Sequence, residues 1–466
     1  MNDFIFPISH DEAKYKQIYQ QLKMLIEQGN LKANDSLPSI RRLAETLQVS
    51  RNTTLTAYEQ LVAEGYIRGE GRKGYFVNEL EQVFLQQEEA TVPTLSPKQE
   101  QPALIIDFRA GAVDQAHFPL KTWRQFANRV LQLEDSFIYC EPFGEPLLKE
   151  QLAQYLLQAR GVKCRADDII IGSSTQQMLL YLGCLLKHDF TSVLVEDPGY
   201  IGARQAFKVN GFELEALPVL EQGAQLHLLP DMQSRLLYIT PSHHFPYGVT
   251  MTIQQRQTVI QWAKKVDGYI IEDDYDSEFR YAQQPFPALA SIDQSRVIYL
   301  GTFSKSFLPG VRLSYMVLPK SLLYRYKEQF SEFEQNASSL HQLTMAAFME
   351  KGEWTRHIKR MRIIYKHKMH YLVEQLKQHF GEAITIIGQH SGLYVLIKLH
   401  VHQTDTQLIK RAADCGVKVY PTSQFFLQNS VTEPMLQLGF SRLQLEDIKQ
   451  GVQLLAKAWC FPSKNA

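Results

Sequence analysis

The chain has 466 residues, 45% of them apolar, with 25 Phe and 22 Tyr; at roughly 150 residues per domain that is room for about three structural units around a large core, which excludes a lone binding module and a disordered chain. Lys plus Arg and Asp plus Glu balance at 49 each, so no global positive field draws it to nucleic acid or membrane, and any such partner must be held by a local patch. The five scattered cysteines, Cys140, Cys164, Cys184, Cys415 and Cys460, contain no CxxC pair, and no HExxH helix accompanies them, which argues against disulfides and against a bound metal.

In chain order, the start MNDFIFPISHDEAKYKQ carries acids where a secretory leader needs bases, and no apolar run approaches ~18 residues, so a soluble cytoplasmic protein without a membrane partner is expected. Ile40, Leu43, Ala44 and Leu47 fall at i, i+3, i+4 and i+7, one face of a two-turn helix after Pro38-Ser39. After the turn QVS, Ser50 can cap a second helix, RNTTLTAYEQLVAEG, that buries Leu55, Tyr58, Leu61 and Val62 and ends at Gly65. Arg51, Asn52, Thr53 and Thr54 at its exposed amino end suit a major groove. The glycine-punctuated hairpin that follows offers Arg68, Arg72 and Lys73 to phosphate or minor groove. Two short helices with solvated charges are also compatible with a plain helical bundle.

The string LPSIRRLAETLQVSRNTTLTAYEQLVAEGYIRGEGRKGYFV resembles the winged-helix DNA-binding domain of the GntR regulators over some forty positions, including PSxR, VSRxT and the G-x-G wing. The resemblance implies that Ser39, Arg41, Ser50, Arg51, Thr53, Arg72, Lys73 and Gly74 face operator DNA.

From Glu79 to about Ala103 the chain is rich in Gln, Glu and Pro, lacks Gly and shows little periodicity, which reads as a linker over 79–104 between a 1–78 module and a 105–466 domain. Beyond it the apolar runs DIIIG, SVLVED, RLLYIT, YIIEDD and RVIYLG alternate with helical segments, the pattern of an α/β fold with a mostly parallel sheet.

Three stretches carry chemistry. In GTFSKSFLPGVRLSY, Lys305 follows a strand amid Thr302 and Ser304, with Arg312 seven residues on: an amine able to form an imine beside hydroxyls and a guanidinium able to hold a phosphate. In YIIEDDYDSEF, Asp273 at a strand end could keep the ring nitrogen of pyridoxal 5'-phosphate protonated, and Tyr275 could bond its phenolic oxygen. In IIIGSSTQQMLLYL, Ser174, Thr175 and Gln176 open a helix whose amino terminus suits a phosphate. Taken singly, each also reads as an ordinary turn, acidic loop or capped helix.

Their order is similar to the fold-type I aminotransferases of the aspartate aminotransferase superfamily, over residues about 105–460. The resemblance implies a phosphate cup of Thr175, Gln176, Thr302, Ser304 and Arg312, a pyridinium partner in Asp273, the cofactor lysine in Lys305, and an aromatic near the ring in Tyr200. The asparagine that common aminotransferases place near the ring oxygen is absent; Phe245 stands there, so that contact rests on Tyr275. A winged helix joined by a linker to such a domain is the architecture of the MocR/GabR subfamily of GntR regulators, which the chain resembles almost throughout. The fold type implies a homodimer whose sites are completed across the subunit interface. GABA-responsive members hold their effector with two arginines; here those places read as Gly202, or neighbouring Ile201, and Gln424, leaving Arg204 or Arg109 as basic groups for an acidic end.

The expected function is a PLP-binding transcription regulator that senses a small molecule, either the cofactor itself or an amine reacting at Lys305, with at most vestigial transaminase activity. An active aminotransferase with an accessory DNA-binding domain and a cofactor-free dimerisation domain are the alternatives. Effector, operator and sign of regulation are not encoded legibly.

Overall fold

Ile18, Leu22 and Ile26 recur every four residues, and in the computed structural model they form the buried stripe of helix α1 (Lys14–Glu27). The structure describes residues 12–79, 106–134, 138–231, 235–281, 286–428 and 433–460, with Phe4, Phe6 and Ile8. The expected linker, Glu79 apart, lies outside the described residues. The chain divides into two units, Met1–Gln99 and Glu100–Ala466.

In the first unit, α1 packs with α2 (Ile40–Thr46) and α3 (Arg51–Ala63) on a hairpin of β1 (Ile67–Gly69) and β2 (Tyr75–Val77), whose register pairs Arg68 with Phe76. Sequence periodicity showed the faces of α2 and α3 but not α1 as an element. It also misplaced part of α3. The buried residues are Thr54, Ala57, Tyr58 and Leu61, whereas Leu55 is half-buried and Val62 is 41% exposed. The buried face is rotated from the expected one, and α1, which packs on α3, lies far upstream of it in the chain. Gly65 follows the helix with φ of +79°, the left-handed geometry a helix-ending glycine adopts most easily.

In the second unit, the five predicted strands all form. Among the described residues, β4 (Ile169–Gly172), β5 (Ser192–Asp197), β6 (Glu213–Leu220), β7 (Gly223–Ala224), β8 (Leu236–Ile239), β9 (Tyr269–Asp274), β10 (Val297–Thr302) and β11 (Ser314–Val317) make one sheet. Its order is β4-β11-β10-β9-β8-β5-β6-β7. The central run β10-β9-β8-β5-β6 is parallel, and the flanking pairs are antiparallel. Strand β9 shows why these segments read as unbroken apolar runs: Ile270 and Ile271 point to opposite faces, and each is fully buried in a different hydrophobic cluster. A short parallel pair, β3 (Ile106–Asp107) with β14 (Val417–Lys418), joins the two ends of the unit. The smaller sheet, order β12-β13-β16-β15, is antiparallel and comprises β12 (Ile384–Ile387), β13 (Tyr394–Leu399), β15 (Tyr420–Pro421) and β16 (Met435–Gly439). Among the described residues no helix is long and apolar enough to cross a membrane.

Candidate functional site

On the first unit, the candidate DNA-facing residues divide into two kinds. Ser39 and Ser50 are the N-caps of α2 and α3, their hydroxyls accepting from the backbone N–H of Arg42 at 3.3 Å and of Thr53 at 3.1 Å; the Thr53 hydroxyl lies 2.7 Å from that of Ser50. Arg51 is exposed at the first position of α3, and Arg41 is exposed with its Nε donating to Glu45 at 3.0 Å. Lys73 is exposed near Glu70, and Gly74 takes φ of +110°, a conformation that disfavours any side chain there. The Arg72 side chain lies outside the described residues. Two groups offered to DNA by the sequence are committed elsewhere. Arg68 donates to Val77 O at 3.0 Å and Asn34 Oδ1 at 2.7 Å and contacts Glu70 and Asn78, so it braces the hairpin; Thr54 is fully buried and cannot reach a base.

On the second unit, the carboxyl ends of β8, β9 and β10 open into a cavity of about 370 Å³, the place where open parallel sheets present ligands. All ten residues read from the sequence as cofactor contacts line it: Ser174, Thr175, Gln176, Tyr200, Asp273, Tyr275, Thr302, Ser304, Lys305 and Arg312. Ser174 caps the helix Thr175–Leu186 by accepting from Gln177 N at 3.2 Å. That helix end, with its free N–H groups and positive dipole end, shares the cavity wall with Thr302, Ser304 and Arg312. Arg312 is exposed and sits at φ +52° after the turn Pro309–Val311, a left-handed conformation that costs a residue with a β-carbon and is retained where the surroundings demand it.

Asp273 is buried. Its Oδ2 accepts from the Tyr238 hydroxyl at 2.5 Å, while Oδ1 has no hydrogen-bond partner among the described residues. Burial first, then the neighbouring Asp274 and Asp276, push its carboxyl up to about 7 against the opposing Tyr238 bond. An unpartnered acceptor in this wall fits a ligand that brings an N–H. Lys305 is half-buried opposite; its desolvation lowers the ammonium pKa, only partly opposed by Asp276 and Asp273. Its amine occupies the space of a missing side chain, since a β-carbon on Gly111 (φ +79°) would stand 2.1 Å from Nζ. Tyr275 lies 3.0 Å from His243 Nδ1, and His243 is bound to Asp276 at 2.8 Å. Phe245 lines the cavity and packs on Phe425 at 4.6 Å between centroids. These groups fit pyridoxal phosphate: a cationic, hydroxyl-rich end for phosphate, a buried carboxylate for the ring nitrogen and a desolvated amine for the aldehyde.

The effector candidates lie elsewhere. Arg204 is buried, but its guanidinium donates to the carbonyls of Gly199 at 2.6 Å and of Phe425, clamping the start of the helix Ile201–Val209 to the turn Ser423–Phe425. Gln424 is exposed on that turn and donates to Pro421 O, Arg109 is exposed, and none of the three lines the cavity. Gly202 is buried, and a β-carbon there would meet the Tyr200 ring at 2.4 Å, so an arginine would displace Tyr200. The sequence reading missed Tyr238, Thr240, Asp276, Tyr394 and Gln437 in the lining. Gln437 had one signal: it is the single polar residue in the strand MLQLG.

Residues 14–77 match the bacterial regulatory proteins of the gntR family, and residues 104–453 match aminotransferase class I and II. The uncharacterized HTH-type transcriptional regulator YdeL of Bacillus subtilis is 38% identical over 96% of this chain and 97% of its own length. The probable rhizopine catabolism regulatory protein MocR of Rhizobium meliloti is 32% identical over 96% of this chain and 94% of its own. LysN, an α-aminoadipate aminotransferase from Thermus thermophilus complexed with N-(5'-phosphopyridoxyl)-L-leucine, is similar with a TM-score of 0.70 at 25% identity, over 77% of this chain and 93% of that one. The chain belongs to the GntR regulators fused to an aminotransferase-like domain. These relatives favour regulation over the enzyme alternative.

Behind the cavity of this GntR regulator, Glu196 and His244 form a buried pair. Glu196 accepts from Thr240 N at 2.9 Å and Oγ1 at 2.6 Å, and burial pushes its carboxyl up to about 8. Burial, with His243 nearby, pushes His244 down to about 3. Both are uncharged at neutral pH, so their 3.9 Å approach is not an ion pair. Folded Glu196 holds its proton above the unfolded value of 4.5, so its contribution to stability is full below that pH and is lost as pH rises toward 8. His244 acts in the opposite sense, its contribution being lost as pH falls from 6.5 toward 3. Glu196→Gln is therefore expected to gain on wild type, by on the order of a few kcal/mol, between pH 5 and pH 8. Urea unfolding at the two pH values checks this, and a difference that stays constant with pH refutes it.

Proposed function

We propose that this regulator holds pyridoxal 5'-phosphate in the cavity, senses there a small amine or the cofactor itself, and passes the outcome to operator DNA gripped by α3 and the hairpin. The observation that carries the reading is the unpartnered Oδ1 of buried Asp273, in one wall with Lys305 and Arg312. When bound, pyridoxal phosphate supplies an aldehyde that condenses with primary amines and a pyridinium ring that withdraws electrons. Arg312, the N–H groups opening the helix Thr175–Leu186, and the hydroxyls of Ser174, Thr175, Thr302 and Ser304, with Gln176, bind the phosphate. Asp273 would accept the ring N–H, Tyr275 would donate to the ring oxygen, Tyr200 would flank the ring, and Lys305, its ammonium pKa lowered by desolvation, would be the nucleophile. Ser39, Arg41, Ser50, Arg51, Thr53, Arg72, Lys73 and Gly74 form the DNA face. The protein acts in the cytoplasm as a homodimer on two half-sites.

Titrating the purified protein with pyridoxal phosphate while following its visible spectrum and operator binding tests the reading. A visible band that does not form, or operator binding absent in every state, overturns it. Asp273→Asn replaces a charge-assisted hydrogen bond by a neutral one and is expected to weaken cofactor retention roughly 10- to 100-fold. Cofactor content after dialysis measures it, and unchanged retention and spectrum remove Asp273 from the site.

A further inference from the structure

His243 and Asp276 are each 2% exposed within the single chain, so their arrangement does not wait on a second subunit. The His243 Nδ1 lies 2.8 Å and 2.9 Å from the two Asp276 carboxylate oxygens and 3.0 Å from the Tyr275 hydroxyl oxygen. Glycines box the ring in: a β-carbon on Gly392 (φ +77°) would stand 2.0 Å from Cε1, and one on Gly248 (φ +70°) 3.1 Å from Nε2. The proposed cofactor contacts leave this pair unused, although Asp276 and Tyr275 both line the cavity.

The three groups fix where the protons sit. A carboxylate only accepts, so the nitrogen facing both Asp276 oxygens carries the ring proton. Nε2 has no hydrogen-bond partner among the described residues, so a proton there would gain no bond. The Tyr275 oxygen therefore faces an N–H, and its own proton must point away from His243. That proton stays on the phenol, because burial first and then Asp276 hold Tyr275 well above its ordinary value of 10. Away from His243 lie the cavity and the Tyr394 hydroxyl on the same wall. Between an uncharged hydroxyl and the anionic oxygen of a bound ring, the charged acceptor draws the donor more strongly.

We infer that His243 is a positioning residue for the cofactor: held by Asp276 as an Nδ1–H donor, it turns the Tyr275 hydroxyl toward the ring oxygen. A hydrogen bond donated to that oxygen stabilises its charge, so the imine proton it would otherwise hold at Lys305 is released at lower pH. Phe245, on the same wall, has no donor to share the task. This rests on the proposed reading of the cavity as a pyridoxal phosphate site. It goes further in naming a residue that touches neither cofactor nor effector and still sets the proton affinity of the bound group.

The ionisable groups around His243 are Asp276, Tyr275, Tyr394 and His244, with Arg280 and Tyr281 near Asp276. Those acting on the Lys305 amine are Asp276, Asp273 and Arg109. Uncharged replacements of His243 leave every one of these in place.

The test is the visible spectrum of full-length protein loaded with pyridoxal phosphate, followed from about pH 5 to pH 10, with circular dichroism checking that each variant folds. Wild type is expected to change its band with a midpoint inside this range. His243→Gln, whose amide falls at the place of Nε2, is expected to raise the midpoint by about 0.5 to 1 pH unit. His243→Asn, which keeps an N–H at the place of Nδ1, is expected to restore most of the wild-type value. Tyr275→Phe is expected to raise the midpoint by about 1 to 2 pH units, and His243→Gln to add nothing in that background, since it acts only through the Tyr275 hydroxyl. Should the glutamine variant fail to fold, His243→Leu is read in its place with the same expectation. A midpoint that His243→Gln leaves alone or lowers, equal shifts in the Gln and Asn variants, additive shifts in the double variant, or a wild-type band constant across the range overturns the inference alone. If wild type takes up no pyridoxal phosphate and shows no band, the cofactor reading fails and this inference with it.

Discussion

Lys305→Ala is expected to abolish the visible band of bound pyridoxal phosphate and all borohydride-trappable cofactor. The lysine follows β10, and its amine fills the space left by Gly111 while burial lowers its pKa, so a nucleophile that gives up its proton more easily than a free lysine is held at one place in the cavity. A covalent link of this kind benefits from the reactants being positioned before reaction, and its loss leaves the phosphate contacts alone; retention should fall on the order of a hundredfold or more. The proposed phosphate wall of Ser174, Thr175, Thr302, Ser304 and Arg312 is intact in the variant, so weak non-covalent binding should remain detectable by equilibrium dialysis. A trappable band that survives would place the imine on another lysine.

The second large effect is on DNA. Arg51→Ala removes an exposed guanidinium from the amino end of α3, next to the Ser50 cap. A base or phosphate contact of this kind is worth about 1 to 3 kcal/mol, and the proposed homodimer on two half-sites would lose two, so operator affinity should drop roughly thirty- to twenty-thousand-fold. If the contact is to phosphate, the slope of log affinity against log salt should fall by about one per half-site. Arg41→Ala should act in the same direction but more weakly. Arg41 must first leave Glu45, although that solvent-exposed pair offers little resistance. Fluorescence anisotropy at two salt concentrations measures both quantities, and wild-type affinity in Arg51→Ala would remove α3 from the groove.

The sequence displayed the large sheet because β9 and its neighbours are buried on both faces and therefore read as continuous apolar runs. It displayed one wall of the cavity for a related reason: Asp273, Thr302 and Lys305 sit at or just past strand ends, where a short motif is also a short stretch of space. The part of the cavity lined by the small sheet was not legible in the same way. It is assembled from β13 and β16 of the small sheet, and nothing in the spacing says that Gln437 faces the cavity while Gln424, thirteen residues earlier, faces water. Arg204 misled for an equally physical reason. Its guanidinium is spent on backbone carbonyls, one of them contributed by Phe425 more than two hundred positions downstream. The buried face of α3 was likewise hard to read because α1 packs on it from outside the two-helix motif.

The Arg204 clamp has a bearing on timing. The same turn is held by Gly199 N donating to Phe425 O at 2.9 Å, and by the Asp197 carboxylate accepting from Leu427 N at 2.6 Å and Gln428 N at 3.1 Å. To swing this segment aside, the molecule must break these bonds together, leave the buried Arg204 guanidinium without its Phe425 acceptor, and separate Phe425 from Phe245. The segment thus behaves as a latch that releases all at once, on the microsecond-to-second scale of local unfolding rather than the nanoseconds of a free loop. Any ligand exchange that requires it to open is correspondingly slow, which would let an occupied state outlast brief dips in ligand concentration.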